Sequence, residues 1–184
     1  MPNIYSRLAD GSGTDERLTT SSNVQFGSPS FTPDGTRLVF TEVVPTTGED
    51  LRWVSMDPSI GRPVGEAQSE PLLQATFAER NAQISPDGHW LAYESNESGQ
   101  EEVHVRPFPK VGDGRWQVSS GGGTIPLWAR SGRELFYRDG NRMMSASIQT
   151  TPKFFAGNPT KLFERDFSGL GRGSPRIAKA AASW

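Results

Sequence analysis

Ser30-Phe31-Thr32-Pro33-Asp34-Gly35-Thr36-Arg37-Leu38-Val39-Phe40 recurs, with changes, as Gln83-Ile84-Ser85-Pro86-Asp87-Gly88-His89-Trp90-Leu91-Ala92-Tyr93. A worn third copy reads Leu127-Trp128-Ala129-Arg130-Ser131-Gly132-Arg133-Glu134-Leu135-Phe136-Tyr137. Copies roughly 50 residues apart mark an array of supersecondary units that bury their cores against one another. In each copy one strand enters a turn and a second leaves it. Pro fixes φ at the first turn position, Asp bonds its own backbone, and Gly accepts positive φ without steric cost. The leaving strands, Leu38-Val39-Phe40, Leu91-Ala92-Tyr93 and Leu135-Phe136-Tyr137, are apolar throughout, as strands covered on both faces are.

Outward from the cassettes, polar and Gly-containing connections at 45–50, 95–100 and 138–141 predict a second hairpin in each unit. Third strands are expected at 51–56, 102–106 and 142–148, and fourth strands at 71–76, 115–119 and 160–163. Four antiparallel strands per unit make a propeller blade. Segments 3–7 and 16–19, joined through Asp10-Gly11-Ser12-Gly13, read as strands three and four of an earlier blade. The fold class is therefore all-β, a partial β-propeller of about three and a half four-stranded blades. Its units are a partial blade at 1–20, blades at 21–76, 77–119 and 120–165, and an irregular tail at 166–184, frayed or briefly helical. Residues 58–70 read as one expanded surface loop.

Composition agrees. Of 184 residues 34% are apolar, with 20 Gly and 14 Pro, which suits many short strands and turns. A net charge of -2 gives no electrostatic case for nucleic acid. The absence of cysteine excludes disulfides, zinc thiolates and cysteine nucleophiles. No apolar run reaches a membrane span, and the N-terminus lacks a signal peptide's basic and apolar regions, so the chain reads as soluble.

The Pro-Asp-Gly cassettes resemble TolB-type, WD-repeat-like β-propellers of bacteria. Gln83 to Gly88 followed by Glu101-Glu102-Val103-His104-Val105-Arg106-Pro107-Phe108-Pro109 is similar to the C-terminal propeller of bacterial serine/threonine kinases, as is Met143 to Ile148 through Lys161-Leu162-Phe163-Glu164. The likeness covers about residues 3–165 and implies a bacterial, extracytoplasmic parent protein. Complete members carry about six to eight blades, and this sequence has no kinase catalytic segment, so kinase activity does not carry over.

Candidate chemistry is weighed against packing. His89 and His104 are expected to be exposed or loosely packed, with no metal site. Asp34 and Asp87 have duties within their own turns. Gly121, Gly122 and Gly123 lack the Lys-Ser/Thr of a phosphate loop and read as a flexible inter-blade crossing. Trp53, Trp90, Trp116 and Trp128 fall on strands, where blade packing explains them; Trp184 lies in the tail. Glu94, Glu97, Glu101 and Glu102 read as a solvated acidic rim. No catalytic constellation and no cofactor are expected.

Topology supplies better candidates, because crossings and first-strand starts line a propeller's central opening. These are Gly27, Ser28 and Pro29; Glu79, Arg80, Asn81 and Ala82; and Thr124, Ile125 and Pro126. Ser28, Glu79, Arg80, Asn81 and Thr124 are the binding candidates, with Glu79 and Arg80 able to pair or to contact a peptide. The functional expectation is a non-enzymatic module binding protein or peptide through its rim or central face. The alternatives are a hydrolase or lactonase with a site at the central opening, and a truncated fragment without its own function. Half a propeller leaves blade faces bare, which predicts a homodimer completing the ring.

Overall fold

The computed structural model describes residues 3–7, 10–65 and 68–167, and its regular structure is entirely β. Most of the predicted tail, from 168 onward and including Trp184, lies outside the described residues. The chain opens with a two-stranded antiparallel sheet, β1 (Tyr5–Ser6) with β2 (Glu16–Arg17). Blade one follows: β3 (Gln25–Phe31), β4 (Arg37–Val44) and β5 (Gly48–Asp57), edged by β6 (Arg62–Pro63) and β7 (Glu70–Leu73). Blade two is β8 (Glu79–Ile84), β9 (Trp90–Ser95), β10 (Glu102–Pro107) and β11 (Trp116–Gln117). Blade three is β12 (Thr124–Trp128), β13 (Glu134–Asp139) and β14 (Arg142–Gln149), edged by β15 (Phe155–Ala156) and β16 (Thr160–Glu164). Among the described residues no helix is long and apolar enough to cross a membrane.

The outer edge differs from expectation in two blades. The supposed surface loop at 58–70 contains β6, which pairs with Met56 and Asp57, while β7 pairs with Leu51 to Trp53. Blade three repeats this with β15 and β16 along β14. The third strands run to 10 and 8 residues, longer than one short edge strand can cover, so two segments share the work.

Period-two alternation puts successive side chains on opposite faces, and both faces of blade two are buried. Leu91 and Tyr93 face blade one, where they join Val39, Leu51, Ala82, Ile84 and Phe108. Ala92, Val103 and Val105 face blade three and meet Trp128, Leu135, Tyr137 and Ile148. Trp90, Trp116 and Phe154 close the outer part of that seam, with Phe154 4.9 Å from each indole. The four strand tryptophans thus pack between and within blades, as expected.

The cassette turns also touch one another. A methyl group on Gly88 would meet Pro33 Cδ at 3.3 Å, and one on Gly132 would meet Pro86 Cδ at 3.9 Å. Each turn proline therefore lies against the glycine of the next blade's turn. Gly88 holds φ +75°, in the left-handed region that β-branched residues avoid. Gly88→Val should cost roughly 1 kcal/mol or more in thermal melts, from strain plus the contact with Pro33. An unchanged melting curve would show that the turn tolerates another backbone conformation.

Candidate functional site

The inner strands β3, β8 and β12 begin alike. Each is bulged, between Phe26 and Ser30, Arg80 and Gln83, and Thr124 and Leu127. Each bulge holds a residue with positive φ: Gly27 at 88°, Asn81 at 52° and Ile125 at 54°. Left-handed backbone is costly for β-branched Ile125, and its N–H is held by Glu94 Oε2 at 2.8 Å. A bulge re-aims the side chains next to it. In β8 it leaves Arg80 directly opposite Glu94 and on the same sheet face.

Arg80 is the centre of this end of the molecule. Its Nη1 lies 2.8 Å from Glu49 Oε2 of blade one, its Nε lies 3.1 Å from Glu94 Oε1, and its Nη2 pairs with Glu101. Glu94 is almost fully buried and also holds Ile125 of blade three. Glu49, Arg80, Glu94 and the Ile125 amide thus form one polar chain across three blades.

This corrects several expectations. Glu79 and Arg80 do not pair, because neighbours on a strand point to opposite faces, and Arg80 takes other carboxylates. Glu79, Arg80 and Asn81 are buried, with exposures of 3%, 8% and 6%. Asn81 Oδ1 sits where a methyl on Gly27 would meet it at 3.3 Å. Ser28 and Thr124 are half-buried, and the Thr124 hydroxyl donates to the Arg138 carbonyl at 3.4 Å. The structure therefore brings Glu79, Arg80 and Asn81 together on one strand start and leaves Ser28 and Thr124 on the strands flanking it.

The acidic rim is not solvated as a whole. Glu94 and Glu102 are buried, Glu101 is half-buried, and exposed Glu97 pairs with Arg115. Glu102 accepts the N–H groups of Gly121 and Gly122 at 2.9 and 3.1 Å and the hydroxyl of Ser119. The glycine crossing is consequently tied down. His104 is buried at 2% exposure, because it shares with Tyr93 the face of blade two that packs toward blade one; burial lowers its pKa and keeps it neutral. His89 is exposed, as expected. Asp34 and Asp87 serve their turns, accepting the hydroxyls of Thr32 and Ser85 and the N–H groups of Thr36 and His89.

Sequence reading missed Asp50. It is fully buried and accepts the Thr47 hydroxyl at 2.6 Å, and burial raises its pKa. Asp50 in turn acts on Glu79, whose pKa rises to about 7, first through burial and then through the Asp50 charge. The folded chain therefore keeps a proton on Glu79 where the unfolded chain, near the ordinary carboxyl value of 4.5, has released it. This contribution to stability is complete below about pH 4.5 and is lost as pH rises through about 7. It amounts to at most roughly 3 kcal/mol. Denaturation at stepped pH should show that decline and Glu79→Gln should flatten it; equal slopes in both proteins would remove Glu79 as its source.

No family model and no curated protein matches this chain. Solved structures do. A protein assigned as TolB from Agrobacterium tumefaciens aligns with a TM-score of 0.61 at 17% identity, over 84% of this chain and 54% of its own length. TolB from Acinetobacter baumannii aligns with a TM-score of 0.64 at 20% identity, over 90% of this chain and 38% of its own. A puromycin hydrolase S511A mutant complexed with PGG aligns at 0.52 and 14% identity, over 83% and 31%. The chain spans about half or less of the length of each. With its sheets and bulged inner strands, this chain has the fold of a partial TolB-type β-propeller.

Proposed function

We propose that the chain is a β-propeller module that binds protein or peptide, and that its first partner is a second copy closing the ring. The observation carrying this reading is the pair of incomplete flanks. At one end, among the described residues, β1 has a neighbour on one side only, and Tyr5 is 53% exposed. At the other, Phe155, Leu162 and Phe163 stand 62%, 50% and 47% exposed on the outer edge of blade three. Apolar clusters of this kind mark interfaces, and open sheet edges invite pairing. Light scattering at low micromolar concentration should give twice the single-chain mass. Leu162→Glu with Phe163→Glu should return the single-chain mass without unfolding the blades. A cooperatively melting wild-type species of single-chain mass would sink the dimer. Further peptide contacts fall to Ser28 and Thr124, with Glu79, Arg80 and Asn81 shaping the opening from beneath. The bacterial, extracytoplasmic setting of the family belongs to the same reading.

A hydrolase is the second reading, favoured by one observation: a buried carboxyl with a pKa of about 7 at Glu79, suited to proton transfer near neutrality. A puromycin hydrolase shares the fold. Ester hydrolysis by the purified chain, lost in Glu79→Gln, would replace the binding reading with this one.

A further inference from the structure

The opposite end of the inner strands, where the cassette turns lie, carries a groove of about 600 Å³. One wall is the turn of blade two at Pro86 and Asp87, and the other is the turn of blade three from Arg130 to Arg133. Ile148 and the segment to Thr151 close its outer side. The walls are unequal in charge. Arg130 and Arg133 are both exposed, and neither guanidinium has a hydrogen bond or ion pair among the described residues. Asp87 is the one carboxylate in the lining, and its Oδ1 is occupied by the Ser85 hydroxyl at 2.5 Å and the His89 N–H at 3.1 Å. Ser131 accepts the Arg133 N–H at 3.3 Å, and Gly132 closes the turn on Ala129. These bonds fix the backbone from which both arginines project.

We propose that this groove binds an acidic peptide segment, its carboxylates taken by Arg130 and Arg133 and its backbone lying between the two turns. Guanidinium forks match carboxylates in two-point geometry. Two of them lining one groove, with one internally committed acid, give it a net attraction for anions. Its volume exceeds what a single oxyanion fills, and the exposed ring of Pro86 offers apolar contact to the rest of an extended chain. The proposal rests on the peptide-binding reading above and names the chemistry recognised; Arg130 and Arg133 themselves are not among the flank residues that would form the dimer.

The test uses the whole chain and two labelled peptides, one alternating Glu and Gly, the other Lys and Gly, followed by fluorescence anisotropy. The Glu peptide should bind, and raising salt from about 50 to about 500 mM should weaken it by screening. Arg130→Ala with Arg133→Ala should lower its affinity by about tenfold or more, since charge-assisted bonds to both guanidiniums are lost. Arg7→Ala, at a distant exposed site, should leave affinity unchanged. Equal binding of the Lys peptide, unchanged affinity in the double variant, or no binding of the Glu peptide at low salt each overturns the proposal. Full displacement by low millimolar inorganic phosphate also overturns it, and assigns the groove to a small oxyanion. The double variant should keep the wild-type mass in light scattering, so a failed dimer and a failed groove are read separately.

Discussion

Arg80→Ala should cost roughly 3–5 kcal/mol, the range for removing one partner of a buried ion pair. The size follows from what is left behind. Glu94, at 1% exposure, would keep its Ile125 N–H but lose the guanidinium beside it. Glu49 and Glu101 would lose the same guanidinium, so three carboxylates would repel one another at one strand start. Urea denaturation of single and double variants decides the matter. Arg80→Ala combined with Glu94→Gln should recover part of the loss, because the stranded charge is gone. A single-variant cost below about 1 kcal/mol, as for an exposed pair, would mean that water reaches this cluster and screens it.

Leu91→Ala should be nearly as damaging, at roughly 2–5 kcal/mol. Leu91 is fully buried and packs with Val39 and Leu51 across the seam to blade one, as well as with Ile84 and Phe108 of its own blade. Removing it opens a cavity where two blades meet, and neither sheet can collapse inward without breaking its ladder. Ile60→Ala, in the exposed turn between β5 and β6, is the contrast and should stay within about 0.5 kcal/mol. If both variants melted alike, β9 would not be the buried strand that its alternation implies.

The cassettes made the blades legible because turn chemistry and strand patterning act over a few residues. Gly88 at positive φ and the burial of Leu91, Tyr93, Leu135 and Tyr137 follow from local rules alone. The polar chain was harder to read, since it depends on which strands face each other across seams. One signal was present in the repeat itself. Phe26 faces Thr41, Arg80 faces Glu94, and Thr124 faces Arg138 at the same place in successive blades. Only the middle pair sets opposite charges against each other, and that comparison would have moved Glu94 out of the solvated rim. His104 was misplaced for a similar reason: a polar residue on a third strand looks exposed until the neighbouring blade covers it. Asp50 and Glu79 escaped pairing in the sequence because they lie on different blades, 29 positions apart.

The proline-on-glycine contacts between successive turns have a geometric consequence. They fix the separation of neighbouring blades at one end of the stack, while the Glu49–Arg80–Glu94–Ile125 chain fixes it at the other. Held at both ends, the inner strands keep a set spacing, while Trp90, Trp116 and Phe154 fill the outer part of one seam, and inner and outer spacing together determine the curvature of the arc. Under the ring-closing reading proposed above, a partner must therefore fill a gap whose angle is already set. A partner with well-matched apolar side chains but the wrong angle would meet one rim and gape at the other.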